Sequence, residues 1–381
     1  MMEKLKMAKN TETFTEVRSV TLQAAKREIM VCARRKRPVF LWGAPGIGKS
    51  ELVEQITNEL GGKMYDLRLA LMDPSDLKGV LYYNPAVGNA MWNAPPDLPS
   101  AEDAAQYPVV VLFLDEMNSA APATQAAAYQ LVLNRRVGTY ELPDNVVIVA
   151  AGNRDTDRGV VYRMPSPLAN RFVHLNLRVD FDSWNDWALN NGINPDVVAY
   201  VTCNKNDLFN FDPRSSGTSF ATPRSWSFVS ELLQEQLTDT ELNDLVSGTV
   251  GEGVALKFAA HRKVASQMPN PTDILNGKVR ELKTKEIGAK YSLTVSTCYE
   301  LKDSFVRRGA EQMKETDNAA WHQELDNVFR FFLDNMDTEL QVMMLATLMR
   351  TYKLPLKTSK ITNYKEYHQR NGDFILSAVK D

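Results

Sequence analysis

The stretch Phe40 to Leu52 reads FLWGAPGIGKSEL: an apolar run, a glycine-rich loop, then Lys-Ser and the start of a helical pattern. Gly43, Gly48, Lys49 and Ser50 occupy the fixed positions of G-x-x-x-x-G-K-[ST]. Glycine lets the backbone wrap an anion, so that successive N–H groups and the following helix N-terminus face it. Lys49 would then reach the β- and γ-phosphates of a nucleotide, and Ser50 a Mg²⁺ ion. Ala44, Pro45, Gly46 and Ile47 within the loop, and Glu51 just inside the helix, complete the candidate contact set. The flanks agree, because RPVFLW has a buried-strand pattern and SELVEQITNEL places Leu52, Ile56 and Leu60 on one helical face. The competing reading is a Gly/Pro-rich turn before an ordinary helix.

A chain of 381 residues exceeds one small domain and predicts several folding units. The formal net charge of −3 gives no global attraction to nucleic acid or to an anionic membrane. Cys32, Cys203 and Cys298 are far apart, with no CxxC, and read as small apolar residues in a reducing compartment. The N-terminal MMEKLKMAKNTETF lacks an apolar signal core and the longest apolar runs are strand-length, so the expected location is the cytosol.

Strand patterns recur at PVFLW, KMYDLRL, VVVLFL, NVVIVAAG and FVHLNL, separated mostly by helical or turn-rich segments. That rhythm predicts an α/β fold with a largely parallel sheet covered by helices. Residues 15–36 read as an amphipathic helix ending in the basic ARRKR. The segment LMDPSDLKGVLYYNPAVGNAMWNAPPDLP is too irregular for a plain crossover helix and reads as an insertion. Near Val179 strands give way to helices. The expected division is a nucleotide-binding core over 1–178, a helical lid over 179–290 and a helical extension over 291–381. Trp184, Trp187 and Trp226 read as lid core, and VFRFFLDNM and LQVMMLATLM in the extension as helix core.

PVVVLFLDEMN supplies what a phosphate loop alone lacks. A buried strand ending in Asp115-Glu116 sets two carboxylates at the carboxyl edge of the sheet, where open α/β folds place ligands. Asp115 would hold Mg²⁺ through water and Glu116 would act as general base on the attacking water. The alternative is an exposed acidic turn capping the next helix.

With these motifs in order, the sequence resembles the AAA+ ATPases and, within them, the MoxR-like group. GAPGIGKS is similar to the Walker A motif, LFLDEMN to Walker B, and VVIVAAGNRD to the strand ending in sensor 1, which matches Asn153. SPLANRF resembles the arginine-finger segment, matching Arg171, and ATPRSWSFV the sensor 2 segment, matching Arg224. DPSDLKG and the following insertion resemble the extra element that this group places within its second helix. The resemblance spans residues 15 to about 290 and implies ATP and Mg²⁺ as cofactors. It also implies a homo-oligomeric ring, hexameric in form, that acts as a chaperone-like motor on a protein client. It further implies a partner carrying a von Willebrand factor A (VWA) domain, which nothing in this chain shows, so such an adaptor would be a separate polypeptide. Asn153 would orient the attacking water; on residue type alone it could be an Asn in a turn. Arg171 would point at a neighbour's γ-phosphate or pair with a surface carboxylate, and Arg224 would serve its own nucleotide or the adjacent subunit's.

The sequence departs from the family pattern in two places. Arg154 stands where the family commonly has Pro after sensor 1, and the hairpin RRVGTYELPDN before it is short. CNKND at Cys203 to Asp207 contains N-K-x-D, the guanine-reading signature of GTPases, but falls in the expected helical lid. It reads as coincidence, with GTP as the alternative nucleotide. The rival function is a DNA-directed motor of a restriction or helicase-like system. It would want a basic stripe or an appended reader, and the acidic balance argues against it. A second rival, a scaffold that binds nucleotide only to hold a ring together, is disfavoured by the intact set Lys49, Asp115, Glu116, Asn153 and Arg171.

Overall fold

The strand that carries the glycine-rich loop, 39–42, lies inside a six-stranded parallel sheet whose strands run from edge to edge in the order 19–20, 173–177, 39–42, 146–152, 110–115 and 63–68. The computed structural model describes residues 18–380 apart from 87, 94, 138–139, 158–161, 216, 313–317 and 357. They fall into two compact units, the described residues up to 45 with those of 49–178, and 46–48 with the described residues from 179 on.

In chain order the first unit runs β1 (Ser19–Val20), α1 (Leu22–Arg34), β2 (Val39–Trp42), α2 (Lys49–Glu59), β3 (Lys63–Arg68) and α3 (Pro74–Lys78). It continues with β4 (Val80–Asn84), β5 (Asn89–Asn93), α4 (Ala101–Gln106), β6 (Val110–Asp115), α5 (Pro122–Asn134), β7 (Arg136–Val137) and β8 (Tyr140–Glu141). It closes with β9 (Val146–Gly152), α6 (Ser166–Ala169) and β10 (Val173–Leu177). The five expected strands all form. Strands buried on both faces read as continuous apolar runs, which is why VVLFL and VVIVAA are legible as parallel strands. Phe40, Leu112, Leu114, Ile148 and Ala150 pack with Ala127, Ala128 and Leu131 of α5. The sheet's other face receives α1 and α2, which bury Ala25, Ile29, Leu52, Val53 and Ile56.

The helix expected over 15–36 begins only at Leu22, and its residues 15–17 lie outside the described residues. Thr21 caps it, its hydroxyl accepting from Ala24 N at 3.2 Å. Ser19 and Val20 extend instead and pair with Asn176 and Leu177, because burying Val20 at the sheet edge outweighs another helical turn. Within the irregular insertion the short helix α3 is followed by a β-hairpin, β4 paired antiparallel with β5. No charged residue occurs from Val80 to Asn93, and Val80, Leu81, Tyr83 and Trp92 are exposed. The short hairpin before β9 is β7–β8, with two residues in each strand.

The second unit is helical: α7 (Phe181–Asn190), α8 (Pro195–Cys203), α9 (Pro223–Leu232), α10 (Asp239–Val250), α11 (Glu252–Ala265), α12 (Pro271–Leu275), α13 (Ile287–Gln312), α14 (Ala319–Asn335), α15 (Thr338–Ala346) and α16 (Tyr364–Lys380). Trp184, Tyr200, Trp226 and Phe258 centre one core, with Trp187 partly buried against it. Phe329, Phe331, Phe332, Met344 and Leu345 belong to another, so the aromatic and Met-rich stretches are helix core as their pattern predicts. The helix α13 crosses residue 290 and packs on α8. No helix among the described residues is long and apolar enough to cross a membrane.

Candidate nucleotide site

All strands of a parallel sheet end at the same edge, and three neighbours here deliver the site. β2 ends at Trp42 and leads into the loop, β9 ends at Gly152 before Asn153, and β6 ends at Asp115 before Glu116. Gly43 N–H donates to Gly152 O at 3.3 Å, tying the loop's first residue to the middle strand. Gly46 and Gly48 have φ of 74° and 95°, conformations in which a side chain would be strained. The helix α2 starts at Lys49, so its N-terminal N–H groups open onto the loop.

Lys49 Nζ donates to Gly43 O at 2.7 Å, Ala44 O at 3.0 Å and Asn153 Oδ1 at 3.2 Å. The expected phosphate-reaching cation and the expected sensor are thus already in contact across two strands. Ser50 Oγ donates to Asp115 Oδ2 at 3.1 Å, bringing together the two expected metal ligands. Asp115 Oδ1 accepts from Glu116 N at 2.8 Å. Glu116 is exposed and has φ of 53°, a left-handed conformation that is uncommon outside glycine and concentrates at functional sites. Glu51 lies exposed on the first turn of α2, accepting from Gln55 Nε2 at 3.1 Å.

Asp66, on the adjoining β3, was not among the expected site residues. Burial first, then the nearby Asp115, pushes its carboxyl above the usual carboxylate range; Arg68 opposes this, and Glu116 and Glu54 add to it. Asp66 thus adds a third carboxylate to the surroundings of Asp115 and Glu116, though no group of three or more carboxylate, His or Cys side chains among the described residues is arranged to hold a metal ion by itself. Sequence could not reveal Asp66, because the register that aligns Arg68 with Asp115 is a tertiary pairing.

Arg154 accounts for the missing Pro. Its backbone N–H donates to Asp157 Oδ2 at 2.9 Å, a bond Pro could not make, and its guanidinium reaches Leu177 O at 3.1 Å. Arg171 is exposed just past α6. His174 anchors that helix: Trp42 Nε1 donates to its Nδ1 at 2.9 Å, which leaves Nε2 to donate to Ala169 O at 2.8 Å. Arg224 belongs to the second unit, exposed in the first turn of α9. The loop tip 46–48 groups with that unit, where Arg224 N–H donates to Gly46 O at 3.1 Å.

A glycine-rich loop between a central parallel strand and a helix, facing Ser-Asp and Lys-Asn pairs, defines a P-loop nucleoside-triphosphatase domain. Residues 39–177 match the family described as "ATPase family associated with various cellular activities (AAA)", and this segment is an AAA ATPase domain. Midasin of Giardia intestinalis is 27% identical over 176 residues, which are 44% of this chain and 4% of that protein. The chain therefore spans only a small part of that relative's length. A putative ATPase from Cytophaga hutchinsonii is similar at 14% identity and TM-score 0.35, covering 95% of this chain and 91% of that one. The RuvB Holliday junction branch migration motor of Thermotoga maritima is similar at 13% identity and TM-score 0.30, covering 92% and 87%. At such TM-scores neither structure bears on what this chain does.

Proposed function

We propose that the chain is a Mg²⁺-dependent ATP-hydrolysing motor of MoxR type that assembles as a homo-oligomeric ring and remodels a protein client, with a separate VWA-domain protein as adaptor. The observation that carries the hydrolytic part is the contact of Ser50 with Asp115 at 3.1 Å, beside Lys49 on Asn153 at 3.2 Å. Ser50 and Asp115 would hold the Mg²⁺ ion, which when bound offsets negative charge on the β- and γ-phosphates. Lys49, Glu51 and the backbone of Gly43, Ala44, Pro45, Gly46, Ile47 and Gly48 would bind the nucleotide. Glu116 takes the proton of the attacking water, and Asn153 orients that water through an amide that both donates and accepts. Arg171 and Arg224 are assigned to the γ-phosphate, Arg171 from a neighbouring subunit. The lid is assigned to 179–290 and the extension to 291–381.

The client reading is supported by the uncharged, aromatic hairpin β4–β5, whose exposed Leu81, Tyr83 and Trp92 suit an apolar polypeptide better than a phosphate backbone. The MoxR type and the adaptor rest on the sequence resemblance.

Mixing two inactive variants tests assembly and the trans arginine together. Arg171→Ala subunits keep their own loop and bind ATP, but hydrolyse it poorly as a uniform population. Lys49→Ala subunits cannot use their own site yet still offer Arg171. Mixed rings are expected to regain turnover, measured as phosphate release; mixed rings without rescue would refute Arg171 as the finger.

A further inference from the structure

Between the acidic strand and the sensor lies a buried polar side chain that the assignments above leave without a task. Asn118 is 2% exposed. Its Nδ2 donates to the backbone O of Asn153 at 2.7 Å. Its own backbone O accepts from Tyr162 N at 2.7 Å, and the preceding Met117 N donates to Ala151 O at 2.9 Å. The turn after β6 is therefore fastened to the end of β9 by one side-chain and one main-chain bond, with Glu116 just ahead of the fastening and Asn153 at its far end.

The arrangement is kept at a cost. Asn118 Oδ1 is buried with no hydrogen-bond partner, which few buried polar atoms in folded proteins tolerate. The oxygen also forces glycine at position 152, since a Cβ there would lie 2.2 Å from it and 2.8 Å from Cγ. A leucine of the same branching would leave no orphaned oxygen, but it is larger, its methyl would crowd Asn153 O where the amide nitrogen stands at 2.7 Å, and that carbonyl would lose its donor, so what the amide secures is the Asn153 backbone. The orientation follows from chemistry: Asn153 O can only accept, so the amide nitrogen must face it.

We infer that Asn118 is a positioning residue for hydrolysis: by holding the Asn153 backbone, it fixes where the Asn153 side chain meets Lys49 and the distance between that side chain and Glu116. Neither side chain is held there by its own strand alone. Glu116 sits on a left-handed turn, and Asn153 is the first residue past the end of β9. Asn118 joins the two, so the general base and the water-orienting amide keep one relative geometry when nucleotide enters. The inference rests on the ATPase reading above.

The test is steady-state ATP hydrolysis by the full chain as wild type, Asn118→Leu, Asn118→Asp, Asn153→Ala and the Asn118→Leu/Asn153→Ala double variant. Nucleotide affinity and melting temperature are measured on each. Asn118→Leu is larger and takes the donor from Asn153 O, so it should melt below wild type; assayed well below that melting temperature, it should bind ATP with unchanged affinity. Its kcat should fall by about 10- to 100-fold, the scale of loss when a reacting group is misplaced by a fraction of an ångström to one ångström. Asn118→Asp, which presents an acceptor to an acceptor, should lose at least as much. Because Asn118 acts through Asn153, the double variant should be no slower than Asn153→Ala alone. Unchanged kcat in a folded Asn118→Leu or Asn118→Asp, losses that multiply in the double variant, or a loss confined to KM would overturn the inference. A wild type that binds ATP without turning it over would instead overturn the ATPase reading on which the inference rests.

Discussion

Two segments carry literal nucleotide signatures, GAPGIGKS, whose Gly43, Lys49 and Ser50 belong to the first unit, and NKND in the second, and the fold treats them in opposite ways. In the first, Lys49 and Ser50 meet Asn153 and Asp115 at the open edge of a parallel sheet. In the second, Asp207 is 8% exposed and is consumed by its own unit. Tyr200 Oη donates to its carboxylate at 2.7 Å, Lys257 Nζ lies 3.1 Å away, and Trp226 Nε1 donates to its backbone O at 2.9 Å. Lys205 of the same motif lies over the Phe181 ring, 4.5 Å from its centroid. A guanine reader needs a carboxylate with oxygens to spare for a base, whereas this one holds helices α8 and α11 together. Signature residues become a site only where the chain brings their side chains to a common edge.

The contrast can be broken most directly at Lys49. Replacing it with Ala removes charge-assisted bonds to two phosphates and should weaken ATP binding by about 100-fold or more, read by calorimetry with Mg²⁺. Equal affinity would place the site elsewhere. Glu116→Gln sharpens the comparison within the first segment: ATP affinity should hold while hydrolysis drops by about 10²- to 10⁴-fold, because only activation of water is lost.

At Asp207 the expected outcome is structural. Asp207→Ala leaves the Tyr200 hydroxyl buried without its acceptor and should destabilise the second unit by about 2 kcal/mol in urea unfolding. The preference for ATP over GTP in a competition assay should not change. A shift in nucleotide preference without loss of stability would restore NKND as a base reader.

The smallest effect concerns pH. Burial lowers the His261 imidazole pKa below its ordinary value of 6.5; Asp196 and Glu286 oppose this only in part. The folded state thus favours neutral His261. Its contribution to stability is present above the ordinary value and is lost as pH falls from there through the lowered folded value. His261→Gln should flatten that limb of the stability profile, measured by chemical denaturation across the range, with ATP affinity at neutral pH unchanged.

Much of the first unit was legible because its strands are buried on both faces and its loop has fixed chemistry. VVLFL and VVIVAA admit no amphipathic helix, and Gly46 and Gly48 adopt backbone angles that glycine alone takes without strain. The insertion was legible as irregular but not as a hairpin, since β4 and β5 bury neither face and their apolar residues run consecutively, with no inward–outward alternation to mark a strand. The start of α1 was misjudged because helical periodicity runs through Ser19 and Val20, and only β10 gives Val20 a reason to extend. Asp66 and Asn118 escaped notice for the same physical reason: each matters through a neighbour distant in the chain.

The order of amino acids already commits a set of chemical groups: a phosphate loop, an acidic strand end, an Asn after the next strand, and their succession. Those depend on local backbone freedom, on runs of apolar side chains and on side-chain chemistry, all written at short range. Which of the two nucleotide signatures is a site was decided only by tertiary structure. So was the contact that fastens Glu116's turn to Asn153, because burial, register and hydrogen-bond partners are fixed by which strands lie side by side.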